Sequence, residues 1–107
     1  MSGKAKVVDL SAMEARSYQE RDKNVFYSTQ AFKARIIELG QDGEMPLCQM
    51  GSHVVFIVLG GEAIVRVDDE DFVLNEGKCL ITPPASISMR SAAGVRMLGI
   101  QIQGHSL

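Results

Sequence analysis

The run HVVFIVLGGEAIVRV at residues 53–67 decides the fold class. Its first half is rich in β-branched residues, and its second half alternates small apolar residues with Ile64 and Arg66. A period of two with many β-branched residues indicates strands and not helices. The pair Gly60-Gly61 in the middle is expected to break the run into two strands of one sheet.

The same period continues on both sides of this run, with short apolar segments separated by Gly, Pro, Asp and Asn. The acidic tetrad DDED at 68–71 is predicted as a solvated hairpin tip that returns the chain into a strand at Phe72. Residues 11–24 are polar and are expected to hold one helical turn. The remaining predicted strands are residues 6–10, 25–28, 32–39, 78–82, 86–91 and 95–103.

Residues 32–39 (FKARIIEL) are predicted to bury one face of their strand. The apolar residues Phe32, Ala34 and Ile36 alternate there with Lys33 and Arg35. The two basic side chains are therefore expected to face away from the core.

Length and composition bound the class of protein. The 107 residues suffice for one core, and eight to ten short antiparallel strands in one domain predict an all-β jelly roll or barrel. A net charge of −2 argues against nucleic acid, and no apolar run is long enough to span a membrane. A cytoplasmic protein is expected, with Cys48 and Cys79 as free thiols that behave as small buried hydrophobes.

Three segments resemble the two sequence motifs of the cupins: residues 43–46, the run 54–63 and the block GKCLITP at 77–83. The resemblance extends from residue 32 to 103 and implies a single-domain, RmlC-like jelly-roll barrel. It divides the chain into an arm (1–30), a barrel (31–103) and a tail (104–107). It also implies a homodimer in which strand 6–10 pairs with a sheet edge of the partner.

The metal-binding positions of the cupin motifs hold other residues in this chain. Cys48 and Met50 stand at the His-x-His pair, Ser88 stands at the third histidine, and the glutamate falls at His53 or Val54. A thiol, a thioether and a hydroxyl do not replace imidazoles for a divalent ion, so a metal-free protein without cofactor is expected. The alternative is a soft ion such as Cu(I) held by Cys48, Met50 and His53.

A small organic ligand is predicted to bind inside the barrel. If that ligand is an anion, an arginine is expected to bind it. If Ser88 faces inward, alternation also brings in Ser86 and Arg90 and turns Ile87 and Met89 outward. The predicted anion site therefore combines Arg90, Ser86, Ser88 and Gln49 above an apolar floor of Met50 and Phe56.

Two other functions stay open beside ligand binding. An enzyme of altered mechanism, such as an isomerase, epimerase or oxidoreductase, would need His53 as a base, although no catalytic set accompanies that residue. The other histidine, His105, lies in the polar tail and is expected to be solvated. A structural or interaction subunit with a plugged barrel is the third possibility.

Overall fold

The computed structural model describes residues 4–103, and over that range one short 3₁₀ helix precedes eight strands. The tail, including His105, lies outside the described residues. All strand pairs are antiparallel, which confirms the all-β prediction. The 3₁₀ helix is Tyr18–Asn24, and the strands are β1 (Val25–Ser28), β2 (Phe32–Leu39), β3 (Gly43–Met50), β4 (His53–Val67), β5 (Glu70–Asn75), β6 (Cys79–Thr82), β7 (Ala85–Ser91) and β8 (Val95–Ile102).

Strand β4 belongs to both sheets of the molecule. Its first half pairs with β6 and β8 in a sheet ordered β1-β2-β8-β4-β6, and its second half pairs with β5 and β7 in a sheet ordered β5-β4-β7-β3. The predicted break at Gly60-Gly61 is therefore wrong. The pairing register shifts between Val58 and Gly60, and Gly61 at φ 81° bends one continuous strand from the first sheet into the second.

The core fills the space between the two curled sheets. Strand β4 contributes Phe56 and Val58 from its first half and Val65 from its second, all nearly inaccessible to solvent. Met97 of β8, beside Val58 in the first sheet, and Ile87 of β7, in the second sheet, belong to the same buried cluster. Full burial of each such side chain stabilises the fold by roughly 1.5–3 kcal/mol, so this cluster is the main source of the barrel's stability.

The acidic tetrad lies at a hairpin as predicted, but only Asp68 and Asp69 form its tip, and Glu70 and Asp71 already belong to β5. Strand β4 ends at Val67, the turn passes through Asp68 at φ 53°, and β5 returns from Glu70. All four acidic residues are exposed. Asp71 also pairs with Arg66 and lies near Arg90, so part of this charge is neutralised on the outer face of the second sheet.

The N-terminal segment lies on the outer face of the first sheet. Arg96 of β8 donates hydrogen bonds to the carbonyl oxygens of Leu10 and Met13, which holds this segment in place. The strand predicted at residues 6–10 is wrong for the single chain, because no neighbouring strand pairs with it there. Its contact with β1 is one hydrogen bond from Lys6 Nζ to the carbonyl oxygen of Phe26, 2.8 Å long.

Among the described residues, the single helical segment is the seven-residue 3₁₀ helix, which is far too short to cross a bilayer. Both cysteines are free thiols, as expected. Their predicted burial is wrong for Cys79, which is exposed on β6, a strand at the edge of the first sheet, and correct only in part for Cys48.

Candidate functional site

A cavity of about 250 Å³ opens at one end of the barrel, below the N-terminal 3₁₀ helix. Its deep wall is apolar and includes Val54, Phe56 and Ile87, which are all buried. None of the described residues that line it is Asp or Glu. The polar and sulfur-containing residues of the lining are Tyr18, Arg21, Arg35, Met45, Cys48, Gln49, Met50 and Gln101.

Arg35 lines this cavity from β2. It pairs across the sheet with Gly99 of β8, which in turn pairs with Phe56 of β4, so the three residues form one row on the inner face. A Cβ on Gly99 would lie 3.7 Å from Arg35 Cγ, 3.6 Å from Phe56 Cε1 and 2.8 Å from Ile37 Cδ1. The space that a side chain at Gly99 would need is thus taken by Ile37 Cδ1, while Arg35 and Phe56 lie at ordinary contact distance on either side of it.

This placement corrects the prediction for β2. Ala34 and Ile36 are buried as expected, but they lie on the face away from the barrel core, and the alternate positions Arg35 and Ile37 face the cavity. The reason is that β2 is covered on both sides. The barrel interior lies on one face and the N-terminal segment on the other. Burial alone therefore does not tell whether Ala34 and Ile36 or Arg35 and Ile37 point into the barrel.

The electrostatic environment of Arg35 is unusual for an arginine. Desolvation lowers the pKa of its guanidinium, the nearby Asp22 carboxylate opposes this effect, and the positive charge of Arg21 adds to it. Arginine nevertheless stays protonated at neutral pH. Over residues 4–103 the Arg35 side chain forms no salt bridge, so a half-buried positive charge faces the cavity without a bonded counter-ion.

Cys48 and Met50 both face the barrel interior, as their spacing of two predicts. They pair across the sheet with Ile87 and Ala85, which are buried, and Cys48 Sγ lies 3.6 Å from Met50 Sδ. Gln49 lies between them and turns outward, where its Oε1 accepts a hydrogen bond from the Ser86 hydroxyl at 2.8 Å. The two sulfur atoms form a soft, apolar part of the cavity lining.

The predicted direction of β7 is wrong by one residue. Ile87 and Met89 are buried in the core, Ser86 and Ser88 are only partly buried on the opposite face, and Arg90 is exposed. Side chains alternate along a strand, so counting one residue too many or too few between Gly77 and the strand reverses every position. Core burial of isoleucine and methionine fixes the observed direction.

The predicted anion site of Arg90, Ser86, Ser88 and Gln49 is therefore not formed inside the barrel. Arg90 lies on the outer face of the second sheet, 3.9 Å from Asp71. Met50 and Phe56, its predicted floor, do line the cavity. The arginine that lines the cavity with them is Arg35 and not Arg90.

His53 is separated from the two sulfur atoms with which it was grouped. Val54 is 2 % exposed and faces the interior. His53, the residue before it on the strand, therefore faces outward and is exposed. Of the two candidates for the glutamate position, the inward one is thus valine. Within residues 4–103, no three His, Cys, Asp or Glu side chains are grouped so that they could hold a metal ion.

Arg35 and Arg21 line the cavity, and the sequence prediction placed neither of them there. One signal for Arg35 was present: Gly99 interrupts the apolar strand VRMLGIQI, and a glycine inside a strand often marks a place where another group approaches closely. The cross-strand partner of that glycine depends on strand order, which the sequence does not give.

No protein-family model and no curated protein matches this chain. Solved structures do match it. A Salmonella typhimurium LT2 protein assigned provisionally to ethanolamine utilization (EutQ) superposes with a TM-score of 0.79 at 19 % identity, over 98 % of this chain and 93 % of that one. The cupin domain of Schizosaccharomyces pombe Cnp3 gives 0.75 at 16 % identity, over 90 % and 68 %.

An RmlC-like cupin protein of Desulfovibrio desulfuricans gives a TM-score of 0.74 at 17 % identity, over 94 % of this chain and 97 % of that one. The architecture and these likenesses together define the class: this chain has the cupin fold. At such low identity the likeness extends to the fold alone.

Proposed function

We propose that this protein binds a small organic anion inside its barrel. The observation that supports the proposal is the Arg35 guanidinium, which lines a cavity that has an apolar deep wall and no acidic side chain in its described lining. A charge that has lost part of its hydration and has no bonded partner raises the free energy of the empty protein. An anionic ligand would remove that cost when it binds.

The chemistry of arginine favours a carboxylate or a phosphate in this position. The planar guanidinium donates two parallel N–H bonds to two oxygen atoms of such a group, and these charge-assisted bonds are stronger than neutral ones. The apolar wall of Val54, Phe56 and Ile87 then accommodates the carbon part of the ligand.

The test compares two arginines in one binding assay. Small carboxylates and phosphates are titrated by calorimetry into wild type, Arg35→Leu and the matched control Arg90→Leu. We expect Arg35→Leu to lose at least about tenfold in affinity and Arg90→Leu to bind as wild type does, since Arg90 lies outside the barrel. Equal affinity of all three proteins would remove the proposal.

A catalytic function has no comparable support. His53, the candidate base, lies on the opposite face of β4 from the cavity, so it does not reach a molecule bound there. A plugged, purely structural barrel is the outcome if none of the anions binds to wild type.

We also propose that the protein works without a divalent metal. The inward positions of the cupin metal site hold Cys48, Met50, Val54 and Ile87, which provide one thiol, one thioether and two hydrocarbon side chains. The divalent ions that cupins bind need imidazole and carboxylate ligands, so these four side chains do not fit them. Elemental analysis of protein purified without added metal should give far less than one ion per chain, and near-stoichiometric iron, manganese or zinc would refute the proposal.

A homodimer in the cytoplasm is the assembly and location that we propose. Val7, in the unpaired N-terminal segment, is 98 % exposed, and Ile81 and Ile102 on the outer face of the first sheet are 71 % and 41 % exposed. A two-fold dimer buries the same patch of both copies, which would remove these apolar side chains from water. A reducing compartment would keep the exposed Cys79 thiol free.

A further inference from the structure

We infer that the N-terminal 3₁₀ helix supplies a second guanidinium, Arg21, that clamps the anionic head of the ligand together with Arg35, and that the ligand is a compact monocarboxylate with an apolar tail. This inference rests on the proposed function and narrows it to one chemical class.

Arg21 is exposed to solvent but contacts Tyr18, three residues earlier on the same helix. The guanidinium carbon lies 4.1 Å from the centre of the Tyr18 ring, and Nη1 donates a hydrogen bond of 3.0 Å to the Tyr18 carbonyl oxygen. Both residues line the cavity, although the helix stands outside the barrel. Stacking and one hydrogen bond hold the planar group in place and leave most of its N–H donors for a ligand.

Neither Glu20 nor Asp22, the acidic residues beside Arg21 on this helix, forms a salt bridge with it. Glu20 lies near Arg16 and Lys23, at 3.7 and 3.5 Å, and no salt bridge to Arg21 is present in the described part of the chain. Arg21 and Arg35 are close enough for the charge of one to disfavour the charge of the other. Two like charges at the mouth of one cavity are stabilised by a shared anion, and the two oxygen atoms of a carboxylate can accept from both.

A buried asparagine fixes the segment that carries Arg21. Asn24 is 3 % exposed, its Oδ1 accepts from the Arg16 backbone N–H at 2.7 Å, and its Nδ2 donates to the Arg16 carbonyl oxygen at 3.0 Å. This pair of bonds closes residues 16–24 into a loop over the cavity. The second guanidinium is thus placed before a ligand arrives, which reduces the entropy lost on binding.

The side chains inside the cavity favour a ligand with an apolar tail. Apart from the two arginines, Gln49 and Gln101, the side chains of the lining are aliphatic, aromatic or sulfur-containing, and Phe56 and Ile87 among them are buried. A sugar would lose hydrogen bonds to water there without regaining them, whereas a hydrocarbon tail gains from burial. The volume of about 250 Å³ corresponds to about eight groups of the size of a water molecule, which fits a short-chain or small aromatic acid.

The first experiment measures affinity as a function of tail length. Acetate, butyrate, hexanoate and benzoate are titrated into wild type by calorimetry, with hexanamide and inorganic phosphate as probes of the head group. We expect the affinity to rise about fourfold for each added methylene until the cavity is full. Hexanamide and phosphate should bind at least about tenfold more weakly than hexanoate. Affinity that is independent of tail length, or that is highest for phosphate, overturns the inference.

The second experiment separates Arg21 from its neighbour Arg16, which lies on the same segment but outside this cavity. We expect Arg21→Ala to weaken hexanoate about tenfold and Arg16→Ala to change it less than twofold. Hexanoate should also protect residues 16–24 from proteolysis in wild type and protect them less in Arg21→Ala. Wild-type affinity in Arg21→Ala contradicts the clamp.

The two proposals fail in different ways. If Arg35→Leu binds hexanoate as wild type does, the cavity is not the anion site and the proposed function falls. If Arg35→Leu loses binding while Arg21→Ala keeps it, the proposed function stands and the clamp alone is wrong.

Discussion

At the scale of single residues, the cavity depends on the missing side chain of Gly99. Its cross-strand neighbours Arg35 and Phe56 lie at ordinary contact distance from the position of a Cβ, and Ile37 Cδ1 occupies that space. A charged residue inside a barrel is costly unless it has a partner. The anion binding that we propose would offset this cost.

Gly99→Val tests this dependence. The new side chain would overlap Ile37 Cδ1 and extend toward Phe56 and Arg35, so we expect it to fill the space for the ligand tail and to weaken hexanoate binding by about tenfold or more. Gly60→Ala is the matched control, because a Cβ there meets no atom within 4 Å. Calorimetry on both variants, with circular dichroism to confirm folding, checks the prediction, and unchanged binding by Gly99→Val would contradict it.

At the scale of secondary-structure elements, β4 determines the shape of the molecule. Its crossing from one sheet to the other depends on Gly61, where φ is 81° and a Cβ would lie 2.2 Å from the carbonyl oxygen of Gly94. Both the dihedral angle and the backbone contact exclude a side chain. The bend that joins the two walls of the cavity thus requires glycine at this one position.

Gly61→Ala should therefore destabilise the fold by at least about 2 kcal/mol, since a backbone atom cannot move aside as a flexible side chain can. Gly60→Ala should change the free energy of unfolding by less than about 0.5 kcal/mol. Urea denaturation of both variants measures the difference. Similar midpoints for the two would show that the bend does not depend on Gly61.

Strands also show how far the sequence alone leads. Periodicity locates β1 and β2 at their observed bounds, and it identifies the hairpin between β4 and β5. It does not give the direction in which a strand faces, because one residue in the turn before β7 reverses Ser86, Ile87 and Ser88 together. Both faces of β2 are covered, so the direction of Arg35 depends on which face the barrel interior covers. The sequence of β2 itself does not contain that information.

At the scale of the whole molecule, the barrel leaves an apolar outer surface on its first sheet. Val55 pairs with Ile81 and Ile100, and all three lie on the face opposite the core, next to the exposed Ile102. A monomer that exposes such a surface tends to associate. The dimer that we propose accounts for this surface and for the unpaired N-terminal segment together.

Deletion of residues 1–9 tests the dimer while it retains the carbonyl groups of Leu10 and Met13 that bind Arg96. We expect the shortened chain to elute as a monomer or as aggregates, because it loses Val7 and the backbone that would pair with the partner. Val73→Ser removes a comparably exposed apolar residue on the other sheet and should leave the dimer intact. An unchanged dimer after the deletion, measured by light scattering, would contradict this assembly.

The most direct test of an anion site inside the barrel is a nuclear magnetic resonance titration of the wild-type protein with hexanoate. We predict that the largest shifts fall on the Arg35 Nε–H and on the backbone amides of Phe56 and Gly99, with little change at Ser88 and Arg90 on the outer face. Shifts confined to Arg66 and Arg90, or no saturable shifts at the cavity, would contradict the account.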